Sequence, residues 1–402
     1  MLSVGIFSYS TRPRGSVVHA THLAEALARR GHAVTLYALS KAGDRLYRDV
    51  ACELVLLPAG PAPTDPDALI RQRIAEVATG VSALRPRHDV YHAEDCLVSS
   101  GLLEASGGLE LRPLVRTLHH LEHFESPYLR ACQRRSILEA DAVACVSRVS
   151  QRDVLRELGR RAPIIGNGVD LERFAAPDSA ALEQQRLRLA PAGGRIVLSV
   201  GGVEPRKNSL TTLQAMAALL ARQPDLHWVV AGGASIWEHD AYRQQFEALR
   251  SALPLGVQRR IVQLGPVSEQ ELTALYGAAQ LLLCPSLQEG FGLCVLEALA
   301  SRVPVVVSSG EPFSEYLDDG CASFVAPSSA VAIADAVERL LGDEPLRAAR
   351  VAAGHERVRQ FTWERVAIEH ERLYGELAGS LGRNQALAPA WRAPVSEESS
   401  HA

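Results

Sequence analysis

Lysine is almost missing from this chain. Lys41 and Lys207 are the only two, so 42 − 2 = 40 of the basic residues are arginine. A compact ammonium kept in so arginine-rich a chain draws attention to Lys207. Charge of either sign is not in excess: 42 − 46 gives a net charge of −4, with no global pull toward nucleic acid. No apolar stretch is long enough to span a bilayer. The seven cysteines are odd in number, scattered and without CxxC spacing. That pattern fits free thiols in a reducing cytoplasm better than a disulfide framework or a zinc site. Met1-Leu2-Ser3 runs straight into VGIFSYS with no basic n-region or cleavage site, so no signal peptide is expected. GxGxxG is absent after the first apolar run, GxxxxGK[ST] is absent throughout, and so is H-E-x-x-H. A dinucleotide-binding dehydrogenase, a P-loop enzyme and a zincin lose their signatures together.

What is present is the composition of a soluble globular protein: 402 residues, 47% hydrophobic and 22% charged, enough for two ordinary domains. The N-terminal half alternates β-rich runs with helical periods. SVGIFSY (3–9) leads through the loop STRPRGS to a helix on which Val17, Ala20, Leu23, Ala24 and Leu27 recur at helical spacing, closed by Gly31. AVTLYAL (33–39), CELVLLP (52–58), a helix near 67–84, DVYHAE (89–94), LVRTLHH (114–120) and DAVACVS (141–147) continue the series. The pattern restarts at RIVLSVGG (195–202) and runs through LHWVVAGG, QRRIVQLGP, AQLLLCPS and VPVVVSSG (303–310). Strand, helix, strand in repetition predicts a parallel sheet with helices on both faces, twice over. GNGVDLERF (166–174) is the expected boundary. The predicted domains are 1–167 and 168–362, the chain reads as helical after about residue 330, and a disordered tail is expected at 383–402.

In such sheets ligands bind beyond the carboxyl ends of the strands, and the candidate residues fall there. After VLSV come Gly201 and Gly202, then Arg206 and Lys207, then Asn208 or Ser209 as an N-cap. Paired cations beside a helix start form an anion site, although a solvated loop reads equally well from these residues alone. QEGFGLCVLEALA (288–300) carries a stronger signal. Gly290 and Gly292 permit a tight turn, and the amides of Gly292, Leu293 and Cys294 open a helix beneath an anion. Glu289 in the loop and Glu297 on the helix can face one crevice, and a carboxylate accepts from two adjacent hydroxyls. The blander reading makes them a first-turn carboxylate and a solvent-face residue.

Taken together, GFG with glutamates eight apart, VGGVEPRKN, GNGVDLERF and RGSVVHATHLAEALARRGHAVTLYA resemble the retaining, family-four glycosyltransferases of the GT-B fold. The resemblance covers about residues 1–380, and EGFGLCVLEALASRVPVV is its most specific part. It implies an α/β architecture of two Rossmann-like doubly wound domains facing across a cleft, with the helix of FTWERVAIEHERLYGEL, about 363–381, crossing back to complete the first domain and the GNGVD linker acting as hinge. It implies Glu289 at the donor sugar, Glu297 at the nucleotide ribose, Lys207 at the diphosphate, and His119 of TLHHLEH near the reacting carbon. His119, Glu289 and Lys207 are thus the expected catalytic residues. Gly15, Ser16, Gly201, Gly202, Arg206, Gly290, Phe291, Gly292 and Leu293 complete the expected donor site, and His19 falls on an acceptor-side position. The sequence departs from the family pattern in three places. Gly202 stands where the family usually has arginine, so Arg206 is inferred to supply that charge; Arg14 replaces the first glycine of the turn at Gly15; and His120 stands where aspartate is frequent.

The implied reaction moves a sugar from a nucleotide-diphosphate sugar to an acceptor hydroxyl with retention and without a metal or other cofactor. HHLEH and HATH lack metal-site spacing, and Asp65-Pro-Asp67 reads as a turn and helix cap rather than a metal-binding DxD. A glycoside hydrolase using Glu289 and Glu297 is the first rival, disfavoured because glycine turns and paired cations are phosphate hardware. A non-catalytic nucleotide-sugar binder is the second. The acceptor, whether glycan, lipid or small molecule, is unread. Arg12, Arg14, Arg130, Arg134 and Arg135 would suit an anionic acceptor or a peripheral seat on the inner face of a membrane, though scattered arginines are usually solvated.

Overall fold

The computed structural model describes residues 1–41, 43–107, 111–175, 178–233 and 240–383. All but one of the residues expected to form a disordered tail, 384–402, lie outside the described residues. Six strands form the first sheet: β1 (Ser3–Ser8), β2 (Ala33–Lys41), β3 (Glu53–Ala59), β4 (Val90–Ala93), β5 (Leu114–Leu118) and β6 (Ala142–Cys145). Their order is β3-β2-β1-β4-β5-β6 and every pairing is parallel. The second sheet holds β7 (Arg195–Val200), β8 (Leu226–Ala231), β9 (Ile261–Gly265), β10 (Leu281–Cys284), β11 (Val305–Ser308) and β12 (Ser323–Val325). It repeats the same plan, β12-β11-β10-β7-β8-β9, again all parallel.

The strands are nearly continuous apolar runs because helices cover both faces. β4, β5, β6, β10 and β11 are buried at every residue. In each sheet the strand order reverses beside the first strand, between β1 and β4 and between β7 and β10. That switch point opens a crevice at the carboxyl ends. The loops that follow β1, β4 and β5 therefore face the loops that follow β7 and β10.

The helix Gly15–Arg29 buries Val17, Ala20, Leu23, Ala24 and Leu27, as its spacing predicts. Gly31 takes φ 91°, a conformation that favours glycine, one residue beyond the C-cap. The last helix, Trp363–Arg383, lies against this one, and Trp363, Val366, Ala367 and Tyr374 join the core of the first sheet. Val169 bridges Thr362, so the two chain passages between the halves run side by side. Gly168 makes this possible, since an added Cβ would overlap the backbone of Thr362 and Trp363. Asp65 caps the helix Pro66–Leu84 by accepting from the Ala68 amide at 2.7 Å, the turn-and-cap geometry expected of that aspartate. Among the described residues no helix is long and apolar enough to cross a membrane.

Candidate active site

The loop after β7 and the loop after β10 are stitched by backbone. The Leu287 amide donates to the Arg206 carbonyl at 2.8 Å. Asn208, at φ 59°, does not cap its helix with its side chain. Its amide group instead donates to the carbonyls of Pro285 and Pro327, at 3.0 and 2.6 Å. Asparagine tolerates the left-handed conformation that this bridging requires. Sequence reasoning placed Asn208 only as a cap, because a contact with residue 285 has no local signature.

The stitching sets Lys207 against Glu289. The Lys207 ammonium donates to Oε2 at 2.6 Å, and an Arg206 nitrogen lies 3.4 Å from Oε1. Arg206 also pairs with the buried Glu204 at 3.0 Å. Burial alone would raise the Glu289 carboxyl, but the two cations outweigh it and hold it at about 2. Burial likewise opposes the Lys207 charge, and the Glu289 carboxylate overrides that to push its pKa up. Gly201, at φ 132°, lets the Lys207 side chain pass close over its backbone. A cavity of about 30 Å³ beside this loop has Lys207, Trp228, Cys284 and Ser286 among its walls.

Gly292 takes φ 95° and precedes the helix Leu293–Ala300, which has no side-chain cap. Its first amides, at Leu293 and Cys294, thus have no side-chain cap, which makes this helix start a candidate anion site. The Phe291 side chain, expected at the donor, is instead buried beneath the turn. It stacks on Tyr316 at 4.7 Å, and the Tyr316 hydroxyl donates to the Phe291 carbonyl at 2.9 Å. An aromatic there supports the turn from below, leaving its backbone to any ligand. Glu297 is half-buried and accepts from the Tyr276 hydroxyl at 2.7 Å. Burial raises its pKa, partly offset by that hydrogen bond and by Arg173.

The facing wall comes from the first sheet. His119 follows β5, and its carbonyl lies so close to Gly290 that a Cβ there would overlap it. The His119 ring is bonded to Glu94 at 3.0 Å, and the ring of His19 to the same carboxylate at 2.9 Å. His19, expected to face the acceptor, is fully buried, because Glu94 and Trp363 enclose it. Glu94 follows β4 and was missed, since a lone glutamate in HAEDC shows nothing of its partners 75 and 25 residues away. Arg206 and Lys207 meet Glu289; Gly201, Gly202, Gly290, Gly292 and Leu293 frame the same loops. Gly15 and Ser16 start their helix on the opposite side, behind an Arg14 N-cap without a side-chain cap bond.

Two doubly wound parallel sheets of identical strand order, meeting at the carboxyl ends of their strands, define a GT-B fold. Residues 183–357 match the family of glycosyl transferases group 1, and residues 13–173 match Glycosyltransferase Family 4. A D-inositol 3-phosphate glycosyltransferase of Xylanimonas cellulosilytica is 30% identical over 390 residues, covering 90% of this chain and 91% of that one. Its counterpart in Corynebacterium diphtheriae is 29% identical over 395 residues, 90% of each. In fold, the chain resembles sucrose-phosphate synthase from Thermosynechococcus elongatus, with a TM-score of 0.78 at 23% identity, over 94% of this chain and all of that one. The chain belongs to the group 1, family-four glycosyltransferases. It is an enzyme that transfers a sugar from a nucleotide sugar.

Proposed function

We propose that this enzyme retains the anomeric configuration, needs no metal, and delivers its sugar to a hydroxyl of a small phosphorylated polyol. One observation carries the reading of the donor site: Glu289 is held between Lys207 and Arg206 at the mouth of an uncapped helix start. Lys207 and Arg206 balance the charges of Glu289 and Glu204. A nucleotide-diphosphate sugar supplies both halves of an exchange, its diphosphate taking the cations and helix amides while its sugar hydroxyls take Glu289. Glu297 then accepts from the ribose hydroxyls.

As the bond between sugar and phosphate breaks, negative charge grows on the diphosphate. Lys207, Arg206 and the amides at Leu293 and Cys294 stabilise it in place of a divalent ion. His119 and Glu289 hold the sugar from opposite walls. The departing phosphate oxygen takes the acceptor's proton on the same face, which keeps the configuration. The polyol-phosphate acceptor is supported by the relatives named as D-inositol 3-phosphate glycosyltransferases.

Thermal shifts against a panel of nucleotides and nucleotide sugars test the donor, since a ligand at about 100 times its Kd adds about 2.7 kcal/mol. The best donor is then turned over with inositol phosphate in the presence of EDTA, and the product's anomeric configuration is read by NMR. An inverted product, or activity abolished by EDTA and restored by magnesium, overturns the reading.

A further inference from the structure

Glu94 is a carboxylate in an unusual place. It is fully buried, yet among the described residues it pairs with no lysine or arginine; its partners are histidines from the first helix, β4 and the loop after β5. His92 is committed elsewhere, to Thr117 at 2.7 Å and to the Tyr374 hydroxyl. His370 donates its Nδ1 hydrogen to the Val366 carbonyl at 2.9 Å. That leaves two donors for Glu94: His19 through Nδ1 and His119 through Nε2. Burial alone would raise the Glu94 carboxyl, but these partners hold it well below the usual carboxylate range. An ionised carboxylate only accepts, so both ring nitrogens facing it must carry hydrogen.

We propose that Glu94 is a positioning residue that fixes His119 as its Nε2–H tautomer, in one orientation, with Nδ1 left as an acceptor. The proposal rests on His119 meeting the donor sugar. His119 is the cluster's opening to the cleft: its side chain is 17% exposed, against 0% for Glu94 and 1% for His19. A neutral ring so held accepts a sugar hydroxyl at Nδ1 and cannot repel it with a second N–H. Burial, only partly offset by Glu94, keeps the ring pKa near 4, so this form persists at neutral pH.

The same three residues could chelate, since their ligand atoms lie within 4.8 Å of one another. The surroundings favour the hydrogen-bonded reading. A ligating histidine almost always donates its other N–H, whereas the remaining nitrogen of His19 is buried and has no partner among the described residues. An acceptor nitrogen bears that isolation at lower cost than a donor bound to a dication's ligand.

The test uses Glu94→Gln, which keeps the shape but turns an NH₂ toward one of the two rings. ¹⁵N spectra of histidine-labelled protein should show His119 as the Nε2–H tautomer in the wild type and a changed tautomer population in the variant. The variant's kcat should fall about 10- to 100-fold. Binding of whichever of UDP, GDP and ADP stabilises the wild type should stay within about twofold, because that contact lies on the other sheet. A merely structural role would lower stability without that split. An Nδ1–H tautomer in the wild type overturns the proposal even if Glu94→Gln does not fold. So does an unchanged His119 spectrum with kcat within twofold, or stoichiometric zinc in the purified protein that is lost in the variant. If His119→Ala keeps normal kcat, the sugar role of His119 fails, and the spectra alone then decide the role of Glu94.

Discussion

Lys207 carries two burdens at once, and they are separable. It pairs with Glu289 in this structure and, in the proposed mechanism, with the donor's diphosphate. Lys207→Ala should therefore lower kcat about 10²- to 10³-fold, the usual effect of deleting one preorganised charge partner. It should also cost about 3 kcal/mol of stability at pH 7, because it leaves Glu289 largely buried with only the more distant Arg206. The pH dependence gives the sign. Glu289 is depressed to about 2, so its pairing stabilises the fold above the unfolded carboxylate value near 4.3 and is lost as pH falls toward about 2. The deficit of Lys207→Ala, read by urea unfolding, should be largest near neutrality and shrink steadily from about pH 5 to about pH 2. A deficit independent of pH would mean that Lys207 acts by packing rather than by charge. These residues were legible in the sequence, since one lysine beside a glycine pair and two glutamates eight apart form local patterns. Glu94, Asn208 and Tyr276 were not, because each does its work through a partner brought near only by the fold.

The turn from Glu289 to Gly292 is an element built by what surrounds it. Tyr316 supports it from below, Gly292 supplies the left-handed residue, and the His119 carbonyl presses on Gly290 from the other sheet. Gly290→Ala places a Cβ onto that carbonyl and must push either the turn or the end of β5 aside. The expected cost is about 1–3 kcal/mol, as for other overpacked contacts. The sharper expectation is kinetic: kcat should drop at least tenfold, since His119 and Glu289 move apart, while binding of free nucleoside diphosphate changes far less. Calorimetric titration beside steady-state rates decides it; equal losses in both would place Gly290 at the phosphate instead. Helices were less legible than strands. Cys96–Ala105 shows no amphipathic period, because eight of its ten residues are buried. Arg148–Leu158 is polar, and its first amides are capped by Glu315 from the other half, at 2.7 and 2.9 Å. β12 is three residues long, too short for any period to register.

At the scale of the whole molecule, the two parallel sheets were legible in the repeated βαβ pattern and the returning helix in the family resemblance, whereas the particular contacts that make the crossing were not. Val169 and Thr362 bridge, and Gly168 packs on the backbone of Trp363, where the returning helix begins. Trp363 continues inward, stacking on His22 at 5.1 Å and meeting His19 edge-on at 5.5 Å. The crossing between the halves is thus packed directly against the cluster that holds His119. A change at the crossing should reach the chemistry without touching a ligand. Gly168→Ala tests this, because its Cβ would overlap the Trp363 backbone nitrogen and force the two passages apart. Domain closure absorbs its movement in a few residues at such crossings, and substitutions there often change kcat and KM together. Both should worsen for donor and acceptor alike in Gly168→Ala, with the circular dichroism spectrum preserved and the Kd for free nucleoside diphosphate within about threefold. Gly375→Ala is the matched control: it lies on the returning helix with nothing within 4 Å of an added Cβ. Alanine there should leave turnover unchanged and add about 0.5–1 kcal/mol through the lower entropy of its unfolded chain. If Gly168→Ala also left both kinetic constants unchanged, the crossing would be a passive strap and closure would have to pivot elsewhere.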